Sequence, residues 1–278
     1  MNKRFMRFPG GKAKAVTLSY DDCMEEDQDL IKRLEQYDMK ATFNLIPGWF
    51  AKEGTTYPAD ETYRLVTARQ AKKQYNHPQI EVANHGNEHK YMTSLTTAEM
   101  AEDTLLCRRT LETMFERLVQ GMAYPYGWYN PELMEVLKLC GIHYCRTVES
   151  TRSFDLPENW LAWHPTCHHD DEKLMDLADN FIGMEKIECP QLFYVWGHTY
   201  EFERNHNWDH MDAFMEKISG REDIWYATNG EIYEYVKAYE SLEISLDGTR
   251  VYNPTRKTLW LEMDDKCYEI GEEMRRLV

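Results

Sequence analysis

Residues 15–22 read Ala-Val-Thr-Leu-Ser-Tyr-Asp-Asp, a short apolar run that ends in two adjacent carboxylates. Near-continuous apolar runs of this length are typical of strands that are buried on both faces of a parallel sheet. We predict a strand over residues 15–20. Similar runs, each also predicted to be a strand, occupy residues 41–46, 80–83, 122–126, 142–148, 161–166, 192–197 and 224–228.

Segments with helical spacing alternate with these runs. They cover residues 27–39, 62–75, 97–119, 131–140, 171–184, 208–218 and 231–241. Two of them carry clear start signals, Thr97 ahead of Glu99 and Asn130 before Pro131. Regular alternation of strand and helix predicts an α/β fold with a parallel sheet. Because there are seven or eight repeats, we favour a distorted (β/α) barrel of about seven strands over an open, doubly wound sheet.

The pattern changes after residue 240. Alternating apolar residues follow, and the pairs Asp247-Gly248 and Asp264-Asp265 are turn signals between them. We therefore predict a barrel over residues 1–240 and a small antiparallel β appendage over residues 241–278.

The composition excludes several classes of protein. The chain has 278 residues and a formal net charge of −16, which disfavours nucleic acid and anionic lipid as partners. Its seven cysteines form no CxxC pair, so reduced thiols are predicted. No apolar run approaches the roughly 18 residues that span a bilayer, and no signal peptide is visible. We expect a cytoplasmic protein, although an exported protein that has lost its signal peptide would look the same. The oligomeric state stays open.

Polar residues follow several of the predicted strands, at the edge where barrel active sites are built. Asp21 and Asp22 follow the first strand and would repel each other without a cation between them. A solvated turn with a helix-capping aspartate is the alternative. His198 ends the run at residues 192–197 and is suited to donate a proton at neutral pH, or is simply capped by backbone.

His85 and His89 follow another strand. Two histidines four residues apart can bind one divalent metal ion if they share the face of a helical turn. With Glu88 between them, the segment also matches the H-x-x-E-H pattern of inverzincin proteases, whose glutamate is the general base on a helix. Gly86 and Asn87 are poor helix formers, which disfavours the protease.

These stretches together resemble the polysaccharide deacetylase family with the NodB homology domain, which corresponds to carbohydrate esterase family 4. The family motif T-[FY]-D-D-G appears as residues 19–23, and the motif H-[ST]-x-x-H appears as residues 85–89. The motif R-x-P-[YF]-G appears as residues 123–127, and the L-x-L-x-H strand as residues 194–198. The resemblance covers about residues 14–240.

The resemblance implies a metal-dependent hydrolase with three metal ligands: Asp22, His85 and His89. It also implies that Asp21 is the general base, that the backbone N–H of Tyr126 helps to hold the oxyanion, and that His198 is the general acid. Such a ligand set leaves open positions on the ion for water and substrate. Zinc is the expected metal, and cobalt, nickel, manganese or iron would also suit these ligands.

The chain departs from the first four family motifs: Cys23 replaces the glycine of the first motif, Gly86 replaces the hydroxyl residue of the second, and the third and fourth motifs differ as follows. The arginine of the third motif, which orients the base aspartate in the family, is replaced by Ala123. We hypothesise that Arg146, at the end of the next strand, reaches Asp21 instead; the alternative is a surface arginine. The fourth motif has no clear match, and Asp155 and Trp160 are its nearest candidates.

Four further residues are predicted to bind substrate. Trp128 and Trp196 flank the matched motifs and can stack on sugar rings. His168 and His169 lie in a polar cluster at the end of the sixth predicted strand. They are expected to line the cleft, orient His198 or bind substrate, the alternative being that they cap the following helix.

We therefore expect an enzyme that removes acetyl groups from N-acetylated or O-acetylated carbohydrate. The same scaffold also supports hydrolysis of other C–N bonds, including a cyclic amide in allantoinase-like relatives, so a small amide is the alternative substrate. A catalytically inactive sugar-binding barrel is a rival from another class, and Ala123 is the residue that favours it.

Overall fold

The computed structural model describes residues 3–277, so the predicted domain ends at residues 1 and 278 lie outside it. The strands are β1 Arg4–Arg7, β2 Lys14–Asp21, β3 Ala41–Leu45, β4 Ile80–Asn84, β5 Gly121–Ala123, β6 Tyr144–Arg146, β7 Cys167–His168, β8 Gln191–Gly197, β9 Ile224–Tyr226, β10 Glu243–Ile244, β11 Arg250–Tyr252, β12 Leu259–Met263, β13 Lys266–Ile270 and β14 Arg275–Arg276. The helices are α1 Asp27–Tyr37, α2 Ala68–Gln74, α3 Thr97–Phe115, α4 Pro131–Leu139, α5 Leu174–Ile182, α6 Thr199–Asn205, α7 Trp208–Ile218 and α8 Asn229–Glu240.

The main sheet is parallel and has the strand order β6-β5-β4-β3-β2-β8-β7. Strand β2 lies between β3 and β8 and is buried along its whole length. It pairs over its first residues, Lys14 to Val16, with β9 and over its last residues, Leu18 to Asp21, with β3. Helices cover the outside of this sheet and enclose the largest apolar cluster.

Residues 163–168 curl the sheet toward closure. Trp163 forms a parallel bridge with Arg146 of β6, and β7 pairs with Val195 and Trp196 of β8. Residues 163–168 therefore contact β6 at one end of the strand order and β8 near the other end. The predicted distorted (β/α) barrel is confirmed.

The segment at residues 161–166 is not the continuous strand that was predicted. Residues 160–162 form a single 3-10 turn, in which the side chain of Asn159 accepts a hydrogen bond from the N–H of Leu161. Pro165 follows and has no N–H to donate to a ladder, so regular pairing begins only at Cys167. This correction moves His168 into β7.

Helix starts agree well with the sequence signals. At the start of α3 the capping residue is Thr96, one residue before the predicted Thr97, and it forms a capping box with Glu99. The Asn130 side chain accepts a hydrogen bond from the N–H of Leu133 in α4, as the sequence signal indicates. Two elements differ from the prediction. Helix α2 begins only at Ala68, because residues 62–67 are an extended loop, and α6 directly after His198 was not predicted.

The residues after 240 form antiparallel sheets, as predicted. Strands β12 and β13 pair as a hairpin, and β11 pairs with both β10 and β14. Strand β1, which was not predicted, adds to β12 on the side away from β13. The division into two domains at residue 240 stays a prediction.

All seven cysteines lie among the described residues and all are free thiols, five buried and two exposed. Within residues 3–277, no helix combines the length and the apolar character that crossing a bilayer requires.

Candidate active site

The carboxyl ends of the barrel strands meet around a cavity of about 640 Å³. Asp21 is the last residue of β2, Arg146 is the last residue of β6, and His85 and His198 directly follow β4 and β8. Because parallel strands end at one edge of the sheet, these residues from distant parts of the chain come together. The cavity is lined by Asp21, Asp22, Trp49, Tyr63, His85, His89, Tyr124, Tyr126, Val148, Trp196, His198 and Tyr200.

Asp22, His85 and His89 present donor atoms to a common point. One ligand atom from each lies within 4.8 Å of the other two. Asp22 Oδ1 is 3.8 Å from His85 Nε2 and 4.0 Å from His89 Nε2. Three donors bound to one ion at about 2.0 to 2.2 Å would lie somewhat closer together than this, so a small inward movement of the side chains completes a site.

The hydrogen bonds of these residues also suit a cation. His85 Nδ1 lies 2.8 Å from the carbonyl oxygen of Ala123 and donates its proton there, which leaves the Nε2 lone pair free. Asp22 Oδ1 is buried and has no hydrogen-bond partner within the described part of the chain. A buried, unpartnered carboxylate oxygen is costly unless it binds an ion. These residues therefore fit a divalent metal ion.

The segment from His85 to His89 is a loop and not a helix. Gly86 has φ 74° and His89 has φ 50°, and the N–H groups of Gly86 and Asn87 donate to side chains at 2.8 Å. Glu88 pairs with a lysine at the surface and does not line the cavity. The inverzincin alternative needs a helix with an inward glutamate, and the structure contradicts both.

Asp21 is buried next to the donor set. Arg146 donates to its Oδ2, and Asn44 Nδ2 donates to its Oδ1 at 2.8 Å. Burial alone would raise the pKa of Asp21, but Arg146, His85 and His198 outweigh it and lower this pKa to about 2. Asp21 is therefore ionised at neutral pH.

The predicted contact between Arg146 and Asp21 is present, and strand register explains it. Arg146 of β6 pairs with Ala123 of β5, the position at which the family motif has its arginine. The guanidinium also lies over the Trp196 ring, 4.3 Å from its centroid. Arg146 is 1% exposed, so the surface alternative is wrong.

His198 faces the carboxylates of Asp21 and Asp22 with one ring nitrogen and is hydrogen-bonded to Glu201 through the other. Its Nε2 is 3.9 Å from Asp21 Oδ2 and 4.0 Å from Asp22 Oδ2, and its Nδ1 donates to Glu201 Oε2 at 3.2 Å. Burial would lower the pKa of His198, but Glu201 and the two aspartates outweigh it and raise this pKa to about 9. The His198 imidazole is therefore in its positively charged form, with a proton on each ring nitrogen, at neutral pH.

Glu201 was missed by the sequence analysis. It lies in the first turn of α6, three residues after His198, and it accepts from the backbone N–H of His198 as well as from the ring. The spacing His-x-x-Glu at a strand-to-helix junction was the available signal. Asp155 and Trp160, the nearest candidates for the fourth motif, lie outside the cavity lining.

Replacing Glu201 with glutamine is expected to lower the pKa of His198 by about one unit, since a hydrogen bond to a charged partner is lost. NMR titration of the His198 ring measures this. Glu203→Gln is the matched control, because Glu203 lies on the same helix but accepts from Trp208 Nε1 at 2.7 Å. An unchanged His198 pKa in the Glu201 variant would contradict the assignment.

Three of the four predicted substrate-binding residues lie outside the cavity lining, which corrects their placement in the cavity wall, while a role in binding substrate or in orienting His198 stays a prediction. Trp196 lines the cavity, but Trp128 does not and is 64% exposed. His168 Nε2 lies 3.2 Å from Glu201 Oε2, the same oxygen that accepts from His198 Nδ1. His169 is fully buried between aromatic rings.

Two other cavity residues, Tyr63 and Tyr200, could not be identified from a sequence motif. Tyr63 comes from the loop before α2, and Tyr200 comes from the first turn of α6. Their rings pack edge to face with centroids 5.0 Å apart. Only the fold brings them to the strand ends.

Comparison with known proteins finds one matching family model and several similar folds. Residues 9–145 match the family model for polysaccharide deacetylase. No curated protein matches the chain significantly. A Mycobacterium smegmatis protein assigned as a polysaccharide deacetylase has a similar fold, with TM-score 0.57, 16% identity and coverage of 84% of this chain and 93% of that one.

Two further solved structures share the fold. The Xyl-CE4 domain of a multidomain xylanase from the hindgut metagenome of Trinervitermes trinervoides has TM-score 0.54 and 16% identity, covering 81% of this chain and 92% of that one. A CE4 family pseudoenzyme from Bacillus anthracis has TM-score 0.52 and 18% identity, covering 82% and 68%. At these identities the likeness shows the fold alone. The family-model match over residues 9–145, together with this shared fold, makes the chain similar to the polysaccharide deacetylase family.

Proposed function

We propose that the chain is a metal-dependent hydrolase that removes acetyl groups from carbohydrate, with N-acetylated sugars as the preferred class and O-acetylated sugars as the second. One observation carries this proposal. Two carboxylates and three imidazoles from three strand ends and their loops converge on a single cavity: Asp21, Asp22, His85, His89 and His198.

Asp22, His85 and His89 would hold the ion. A bound divalent ion with open positions acidifies water and polarises a carbonyl group. Two imidazoles and one carboxylate suit zinc best, and cobalt, nickel, manganese or iron are the alternatives.

The protein's own groups would then move the protons. Asp21 is ionised and beside the donor set, so it would accept a proton from the attacking water. His198 is protonated and lines the same cavity, so it would donate to the departing amine or alcohol. By the family resemblance, the backbone N–H of Tyr126 would donate to the acetyl oxygen; Tyr126 has φ 60° in the turn after β5.

The cavity supports a sugar-sized substrate. Its volume of about 640 Å³ is in the range of small-molecule sites. Trp49 contributes a half-buried aromatic wall, and sugar C–H groups stack on such faces. A single acetylated sugar unit, free or within an oligomer, is the proposed substrate.

Acetate release by the zinc-loaded protein tests the proposal. N-acetylglucosamine oligomers, acetylated xylan and allantoin are compared as substrates, with Asp21→Asn as the inactive control. We expect acetate from the N-acetylated oligomers and a loss of about 10²-fold or more in the control. Opening of the allantoin ring alone would favour the cyclic-amide alternative. Sugar binding without any turnover would favour the inactive barrel.

A further inference from the structure

Tyr63 is a cavity residue that the proposed mechanism does not use. Its hydroxyl donates to Asp22 Oδ2 across 3.4 Å. The other carboxylate oxygen, Oδ1, faces the two histidines and has no hydrogen-bond partner among residues 3–277. The two oxygens of Asp22 are thus already distinguished from each other.

The chain holds Tyr63 in this place with a short antiparallel ladder. The N–H of Glu25 donates to the carbonyl of Arg64 at 2.7 Å, and the N–H of Val66 donates to the carbonyl of Cys23 at 3.1 Å. This ladder begins immediately after Asp22, so the loop that carries Tyr63 is tied to the segment that carries the aspartate.

Side chains reinforce the ladder. Arg64 forms an ion pair with the buried carboxylate of Glu26, and the Tyr57 hydroxyl donates to the carbonyl of Leu65 at 2.9 Å. The Tyr63 ring itself packs against Tyr200. The phenol is therefore held over Asp22 before any ligand arrives.

We propose that Tyr63 is a positioning residue of the metal centre: it holds Asp22 Oδ2 so that Oδ1 alone is presented to the ion between His85 and His89. The inference rests on the proposed function, because it requires that Asp22 binds a metal ion. Hydrogen bonds to ligand carboxylates fix their orientation, and their loss typically weakens metal binding about 10-fold to 100-fold.

Metal binding to the metal-free protein tests this without any substrate. Zn²⁺ affinity is measured by calorimetry for the wild-type chain and for Tyr63→Phe, which keeps the ring and removes the hydroxyl. We expect the Phe variant to bind Zn²⁺ about 10-fold to 100-fold more weakly. Tyr91→Phe is the matched control and should bind as the wild type does, because Tyr91 is an exposed tyrosine outside the cavity lining.

The visible spectrum of the Co²⁺-loaded protein is the second readout. In Tyr63→Phe the freed Oδ2 can also reach the ion, so the d–d bands should change in position or intensity. A residue that only shapes the wall would leave them unchanged. Thermal unfolding of the metal-free variant shows whether the fold is retained.

The outcomes separate the two proposals. Wild-type affinity and an unaltered Co²⁺ spectrum in Tyr63→Phe would overturn the positioning role while the metal centre stands. If the wild-type chain binds neither ion, the proposed function fails and the role of Tyr63 falls with it.

Discussion

Replacing Asp22 with asparagine is expected to remove both the metal ion and the activity. The substituted amide would keep the size of the side chain but lose the negative charge that faces His85 and His89. Loss of metal chemistry worth several kcal/mol lowers the rate by about 10³-fold or more. Metal content after dialysis, together with acetate release, measures the change.

Asp21→Asn is the control for this substitution, since Asp21 and Asp22 are adjacent residues at the end of β2. We expect Asp21→Asn to retain the ion and to lose activity, because Asp21 is placed to accept the proton and is not in the donor set. If Asp22→Asn retained its metal with wild-type affinity, the ligand assignment would be wrong. Circular dichroism of both variants checks the fold.

Replacing Arg146 with methionine is expected to reduce both activity and stability. The substitution leaves the carboxylate of Asp21, which is 2% exposed, without the arginine that donates to it. Breaking a buried ion pair in this way costs about 3 to 5 kcal/mol. The pKa of Asp21 rises from about 2, and a badly oriented base costs about 10²-fold to 10⁴-fold in rate. Denaturant unfolding and acetate release measure the two effects.

A second substitution makes this prediction specific. Ala123 pairs directly with position 146 across the sheet, so Ala123→Arg in the Arg146→Met background returns a guanidinium to the same carboxylate. We expect partial recovery of activity. Full activity of Arg146→Met alone would show that Asp21 needs no arginine. Arg250→Met, which removes an ion pair with Asp247 in which both side chains are exposed, is the control and should change little.

The sequence predicted those parts of the site that depend on strand ends. Asp21, Asp22, His85 and His198 each follow an apolar run, and parallel strands must end at one edge. The contact between Arg146 and Asp21 was also accessible, because Arg146 lies at the end of a predicted strand and that end faces the same cavity.

Other parts of the site depend on packing that a linear pattern does not contain. Tyr63 reaches the cavity through a loop ladder, and Glu201 lies on a helix of seven residues that has too little periodicity to be recognised. Trp128 was predicted to form a wall of the cavity because it lies beside a family motif, and this prediction was wrong. The turn after β5 directs its ring outward to solvent.

Strand β1 pairs with β12, which joins residues 4–7 to residues 260–263 across almost the whole chain. On a ribosome, this pairing has to wait until residues 260–263 have been made. Contacts so distant in sequence also form late because closing a long loop is entropically costly. The parallel strands around β2 can assemble earlier. We therefore expect the antiparallel pairing of β1 with β12 to be among the last contacts to form during folding and among the first to break during unfolding.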